Sequence, residues 1–301
     1  MSLDEPEHAE LPAARTIPRR YVALGLVILA TILVGVLIVV RNIDGPSGTS
    51  DVETITPAPG SMLTTLSQVP AATSAAVGTT SPDAPISAPE PTRKTAVWWS
   101  ADGDGGHGDA RPVVFFYGAE FAPYAAAERW PLVVALSRFG SFGQLGLMQS
   151  SPSVAFSDTA TFTFWHAAYK SDWLDLEAVE RYSALNPSGN SYTALQTLTS
   201  QQAEAVAAYD PSAKTFPMLD IANRYVLVGS SFSPSVLDGL TQSQVAADLA
   251  FPTSPVAQAV LASANEITAA ICTTTGQRPG AVCHARGVLA ADAKMQIPRA
   301  G

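Results

Sequence analysis

The chain has 301 residues, enough for one large domain or two ordinary ones, with 17 Lys plus Arg against 26 Asp plus Glu and a net charge of −9. Charged residues make up only 14%, well under the roughly 25% of ordinary soluble domains, and no basic cluster exists to meet phosphate, so a nucleic-acid partner is excluded. Four histidines and two cysteines leave little for a metal site and exclude a disulfide-dense scaffold; neither metal nor cofactor is expected.

Residues 21–40 read YVALGLVILATILVGVLIVV, twenty positions without a formal charge. At about 1.5 Å per residue such a helix spans roughly 30 Å, the thickness of a bilayer's hydrocarbon core. The Val40-Arg41-Asn42 exit lacks the small-residue pattern of a signal-peptidase site, so the span reads as a signal anchor rather than a cleaved leader. Arg15, Arg19 and Arg20 precede it and only Arg41 follows closely. This bias places residues 1–20 in the cytoplasm and everything beyond the span outside, making a single-pass cell-membrane protein.

From residue 42 to 94 the chain is rich in Ser, Thr, Ala, Gly and Pro, with prolines at 46, 57, 59, 70, 82, 85, 89 and 91. Too little apolar surface is available there to offset the entropy of ordering, so this stretch reads as a spacer. A folded extracytoplasmic domain is expected over 95–290, followed by a tail over 291–301.

Within the domain, TAVWWS (95–100) has strand propensity, and Asp102, Asp104 and His107 lie in a loop without the spacing of a calcium loop. The continuous apolar run Val113 to Tyr117 marks a central strand covered on both faces. A helix is expected over 119–140, kinked or divided at Pro131, and a second strand over 159–167. Helices are expected over 175–183 and 191–208. Residues 214–229 read as a proline-led strand, a two-residue turn at Ala222-Asn223 and a return strand. Helices follow over 233–240, 241–250 and 254–272, the last on the helical spacing of Val256, Val260, Ala264, Ile267 and Ile271. The order points to a mixed α/β fold with helices on both faces of a central sheet.

The segment VVFFYGAEFAPYAAAERWPLVVALSR (113–138) resembles the core of a thioredoxin-fold protein, and more narrowly the bacterial and archaeal family of domain of unknown function 929. That family reads approximately G-A-E-[YF]-C-P-Y-C-A-A-E-R-W and then A-L-S-R-F-G. Gly118, Ala119, Glu120, Phe121, Pro123, Tyr124, Ala126, Ala127, Glu128, Arg129 and Trp130 match it, as do residues 135–140. Thr161 to Phe164, Pro217, Asn223 to Tyr225 and the Cys272–Cys283 tail extend the likeness over nearly all of 95–290. The resemblance implies a thioredoxin-like fold with a central mixed sheet, flanking helices and a helical insertion. It also implies a cis peptide before Pro217, with Phe216 offering its backbone to a bound peptide.

One departure governs function. The family's two cysteines fall at Ala122 and Ala125. A CxxC pair works at a helix N-terminus because the dipole and free N–H groups lower the first thiol's pKa, and the second thiol resolves the mixed disulfide. Alanine supplies neither group. The expected activity is therefore non-enzymatic: a groove formed by Phe121, Ala122, Tyr124, Ala125, Phe216 and Pro217 that holds a polypeptide or partner protein. The alternatives are an oxidoreductase whose cysteines have been exchanged for alanine, and an accessory subunit of a membrane complex.

Cys272 and Cys283 lie in an oxidising compartment with Gly276, Pro279 and Gly280 between them to turn the chain, so a disulfide is expected. Glu128 and Arg129 are consecutive on a helix and do not face each other; Arg129 is expected to pin a carboxylate or helix end, and Trp130 to fill core volume. Glu120 and Arg138 take structural readings, and His166 is expected to be packed. Ser137 and Ser150 have no triad around them, and nucleotide-, zinc-protease- and dinucleotide-binding motifs are absent.

Overall fold

The structure is a computed structural model and describes residues 55–79, 86–92, 98, 110–186, 189 and 191–295. The expected membrane span, the loop with Asp102, Asp104 and His107, and most of the 95–100 strand lie outside the described residues.

The described domain is mixed α/β. Its strands are β1 (Thr56–Pro57), β2 (Glu90–Pro91), β3 (Val113–Gly118), β4 (Gly140–Gln149), β5 (Ala160–Ser171), β6 (Asp175–Glu180), β7 (Met218–Ile221) and β8 (Tyr225–Val228). Its helices are α1 (Gly60–Ser67), α2 (Ala71–Val77), α3 (Pro123–Leu136), α4 (Ser200–Ala207), α5 (Gln242–Asp248), α6 (Pro255–Thr274), α7 (Gly280–Cys283) and α8 (Arg286–Met295), with a 3₁₀ turn at Pro234–Leu237. One five-stranded sheet has the order β2-β8-β7-β3-β6, and a three-stranded sheet the order β1-β4-β5. β3 lies parallel to β6 and antiparallel to β7.

All six residues of β3 are buried, as its unbroken apolar run demands. Strand alternation sends Val114 and Phe116 into the larger core with α3 and α6, and Val113, Phe115 and Tyr117 into a smaller core with Ala205 and Val206 of α4. Helices thus cover both faces. Among the described residues α6 alone is long and apolar enough to cross a membrane, and 89% of its most apolar stretch is buried inside the domain. It is a core helix.

Several expected elements differ. Residues 175–180 form β6 rather than a helix. Leu176, Glu177, Ala178 and Glu180 are good helix formers, but pairing along the whole of β3 outweighs local propensity. Of the helix expected over 191–208 only Ser200–Ala207 forms, started by a capping box in which the Thr199 and Gln202 side chains each take the other's backbone N–H. The chain before it runs extended, with Leu195 N donating to Arg181 O at 3.1 Å. α3 ends at Leu136 and continues through Pro131 undivided. Gly140 opens β4, where a Cβ would stand 2.3 Å from Lys170 O. The 233–240 helix is only the 3₁₀ turn. The turn falls where expected but is one residue longer: residues 222–224 connect the paired Ile221 and Tyr225, with Ala222 and Asn223 at φ 53° and 56° and Arg224 N donating to Ile221 O at 2.9 Å.

The spacer reading fails for much of 42–94. β1 pairs with β4 and β2 with β8, while Met62, Leu66 and Val77 enter the main core. Met62 and Leu66 stand one helical turn apart, and Pro59 and Pro70 sit at the N-caps of α1 and α2. These prolines bound helices rather than prevent them. At the other end α8 carries the fold past 290 to Met295.

Candidate functional site

β3 delivers the chain into the start of α3, where Ala122 is the N-cap and Pro123 the first helical residue. Proline there removes an N–H that no helix carbonyl would have met. The Ala122 side chain makes no cap bond. Ala122 is 6% exposed and Ala125 fully buried. Tyr124 is the residue of this turn that meets solvent, at 45% exposure. Its ring stands edge-on to Phe156, with centroids 6.0 Å apart.

Phe121 and Phe216 are brought together, with ring centroids 5.8 Å apart and edge-on. The Phe216–Pro217 peptide is cis. Phe121 also stacks on Tyr192 at 4.0 Å and 6°, and Phe216 meets Tyr182 at 6.2 Å and Tyr117 at 5.1 Å. Burial pushes the Tyr117 phenol up to about 12, so it remains a neutral donor, here to Ala213 O at 2.9 Å. The 150–159 loop leans over the helix start: Ser151 N donates to Phe121 O at 3.1 Å and Tyr192 OH to Ser151 Oγ at 3.1 Å. Tyr182, Tyr192, Phe156 and Ser151 carry no motif or spacing in the sequence. Only their aromatic or hydroxyl character marks them, and tertiary pairing alone gathers them.

Beneath the helix start lie buried charges. Arg129 donates from Nε to Glu180 Oε1 at 3.0 Å and from Nη2 to Glu180 Oε2 at 2.7 Å, both side chains fully buried. Nη2 also reaches Ala119 O at 3.2 Å, and the guanidinium stands 5.6 Å from the Phe116 centroid. A Cβ at Gly118 would run into the Phe116 ring and also crowd Glu180 Oε2 at 3.2 Å. Arg129 thus pins a carboxylate, and Glu120 takes the Thr163 hydroxyl. Trp130 fills core volume and donates to Ala160 O at 2.9 Å.

Glu128 accepts from Ser231 N at 2.6 Å and from Ser231 Oγ at 3.1 Å. Burial pushes its carboxyl up to about 8, the Ser231 bonds pull the other way, and the Glu266 carboxylate adds to the rise. Glu128 therefore holds a proton at neutral pH. Glu120, Glu128 and Glu180 are all buried and engaged, so none presents a carboxyl to a substrate. His166 is exposed, at φ 58° in β5, with its ring 4.2 Å from that of Trp165.

Cys272 on α6 and Cys283 on α7 form a disulfide, and each is 1% exposed. These are the chain's two cysteines. Among the described residues no group of three or more His, Cys, Asp or Glu is placed to hold a metal. A cavity of about 690 Å³ lies elsewhere, between residues 87–92 and β8. What the helix start presents is an exposed aromatic pair, Tyr124 and Phe156, beside an aromatic cluster.

The chain belongs to the family described as domain of unknown function (DUF929), whose sequence profile matches residues 108–273. No curated protein matches it, and no solved structure does.

Proposed function

We propose that the chain is a membrane-tethered, redox-inactive thioredoxin-like domain that binds a polypeptide or partner protein outside the cell membrane, its N-terminus cytoplasmic. One observation carries the reading. A central strand parallel to β6 and antiparallel to β7 runs straight into a helix, and alanine occupies both positions where the family's thiols would stand. The strand order supports the thioredoxin-like reading. Both cysteines are locked in a buried disulfide, which an attacking thiolate cannot approach in line. With exchange chemistry removed, the aromatic surface is what remains to work. Tyr124 and Phe156 supply rigid contact area at low entropic cost.

The test places a photo-crosslinking amino acid at Tyr124 in the full chain in membranes, with the exposed Leu289 as control position. A discrete crosslinked polypeptide from position 124, absent from position 289, is the expected result. Equal or no crosslinking at both contradicts the reading.

A further inference from the structure

We infer, resting on the polypeptide-binding reading above, that Arg181 and Tyr182 form a carboxylate-binding subsite beside Phe216. The polypeptide held there then presents an acidic side chain or its own C-terminus. Just past β6, Arg181 N donates to Gly118 O at 2.7 Å and Glu120 N to Tyr182 O at 2.8 Å, which fixes both residues beside the turn from β3 into α3. Both are half-buried. The Tyr182 ring meets Phe216 at 6.2 Å and Phe121 at 6.3 Å, so this corner adjoins the aromatic cluster.

Arg181 is held in place with part of its head unused. Its Nη1 donates to Gln196 O at 2.6 Å, and the guanidinium stands 5.1 Å from the Tyr182 ring centroid. Nε and Nη2 bond no described residue, and neither is sealed from water. The other arginines drawn into the domain show what that edge takes. Arg129 grips Glu180 through Nε and Nη2, and Arg111 grips Asp175 through the same two nitrogens. Arg138 meets the Thr268 and Ser74 hydroxyls. Among the described residues, Arg181 is the half-buried arginine with neither a carboxylate nor a hydroxyl. A guanidinium fixed by stacking and by one carbonyl, its forked edge open, is preorganised for a carboxylate.

A second donor stands nearby. Burial raises the Tyr117 phenol, the Arg181 charge lowers it and Tyr182 raises it again, which places the three heads in one corner. Tyr117 already donates to Ala213 O at 2.9 Å. The Tyr182 hydroxyl bonds no described residue and meets water, so it can donate beside the guanidinium. Asp210 is also felt at Tyr117. Its oxygens are occupied, accepting from the N–H groups of Ser212, Lys214 and Thr215 and from the Ser212 hydroxyl. One guanidinium and one hydroxyl, with a fixed carboxylate in the neighbourhood, suit a singly charged group rather than a phosphate dianion.

The test titrates the full chain in nanodiscs against three dye-labelled hexapeptide pools built from Ala, Leu, Phe and Thr, read by fluorescence anisotropy. The first pool carries a central Glu and capped ends, the second Gln in its place and capped ends, and the third that Gln with a free C-terminal carboxylate. The first or the third should bind at least about tenfold tighter than the second, and which of them does so tells a side chain from a chain end. Arg181→Gln should bring that ratio to within about twofold of one, and Tyr182→Phe should lower it about threefold. Equal binding of all three pools to the unmutated chain overturns the subsite and leaves the polypeptide reading standing. Binding by no pool also overturns it, and the crosslink from position 124 then judges the polypeptide reading separately. So does a preference that survives Arg181→Gln in a chain with the parent's circular dichroism.

Discussion

The two ends of α3 contrast sharply. Its start carries an N-cap alanine with no side-chain bond and an exposed Tyr124. Its far end is tied down from several elements. Arg138 donates to Thr268 Oγ at 2.8 Å and to Ser74 Oγ at 3.1 Å. Asn265 of α6 donates to Ser74 O at 3.1 Å and Gly78 O at 2.7 Å, and accepts from Ser74 Oγ at 2.8 Å. Residues of α2, read from composition as spacer, thus supply partners to a buried polar network. Both ends are held by buried polar contacts, the start by the Arg129–Glu180 pair and the far end by this network, and the start also carries the exposed Tyr124 beside Phe156. On the binding role proposed above, the exposed pair would serve recognition and the buried contacts stability.

The largest effect should come from the buried pair under the open end. Arg129→Met strands the Glu180 carboxylate with only the weaker Phe164 N–H donor at 3.2 Å. The expected loss is about 3–5 kcal/mol in denaturant unfolding; a loss below about 1 kcal/mol would show that the pair is not the anchor of that region.

The contrast between the ends is sharpened by Asn265→Ala set beside Tyr124→Ala. Removing the buried amide should cost about 1–3 kcal/mol, because the Gly78 carbonyl loses the Asn265 donor while the Ser74 carbonyl keeps only the Gly78 N–H. Removing the exposed ring should change stability by no more than about 0.5 kcal/mol while abolishing crosslinking from a neighbouring probe position. Equal stability losses would erase the division of labour.

A smaller, pH-dependent effect falls on Glu128. Its folded carboxyl is raised from 4.5 to about 8, so the stability it contributes is fully present below about pH 4.5 and is lost as pH rises through about 8. Glu128→Gln keeps both Ser231 contacts, the amide oxygen accepting from the N–H and the amide nitrogen donating to the hydroxyl. Urea midpoints measured from pH 5 to pH 9 should fall for the parent relative to the variant. Parallel curves would mean that the carboxyl is not buried as a neutral acid.

Much of this was legible beforehand, for identifiable reasons. The five-residue apolar run of β3 and the spacing of α6 are strong periodic signals, and the Ala222-Asn223 turn is local chemistry. The grouping of Phe121 with Phe216 in one groove rests on family resemblance rather than on pattern. β6 was not legible, because its helix-forming residues are strand only through β3. Nor was the folding of 55–79, where proline content hid the one-turn spacing of Met62 and Leu66. The Ser231 partner of Glu128 lies 103 residues away in sequence, and no local signal reports such a bond. Composition speaks for segments, and long-range pairing decides them.

The central claim is that this fold binds without exchanging thiols, and the most direct measurement is turnover of a disulfide substrate with a thiol reductant. Four proteins are compared: the parent, Ala122→Cys, Ala125→Cys and the double variant. The parent should give no turnover above background. The double variant should gain measurable exchange, since the α3 N-terminus lowers the pKa of a thiol placed there. Each single variant should at most trap mixed disulfides. Clear turnover by the parent would contradict the account.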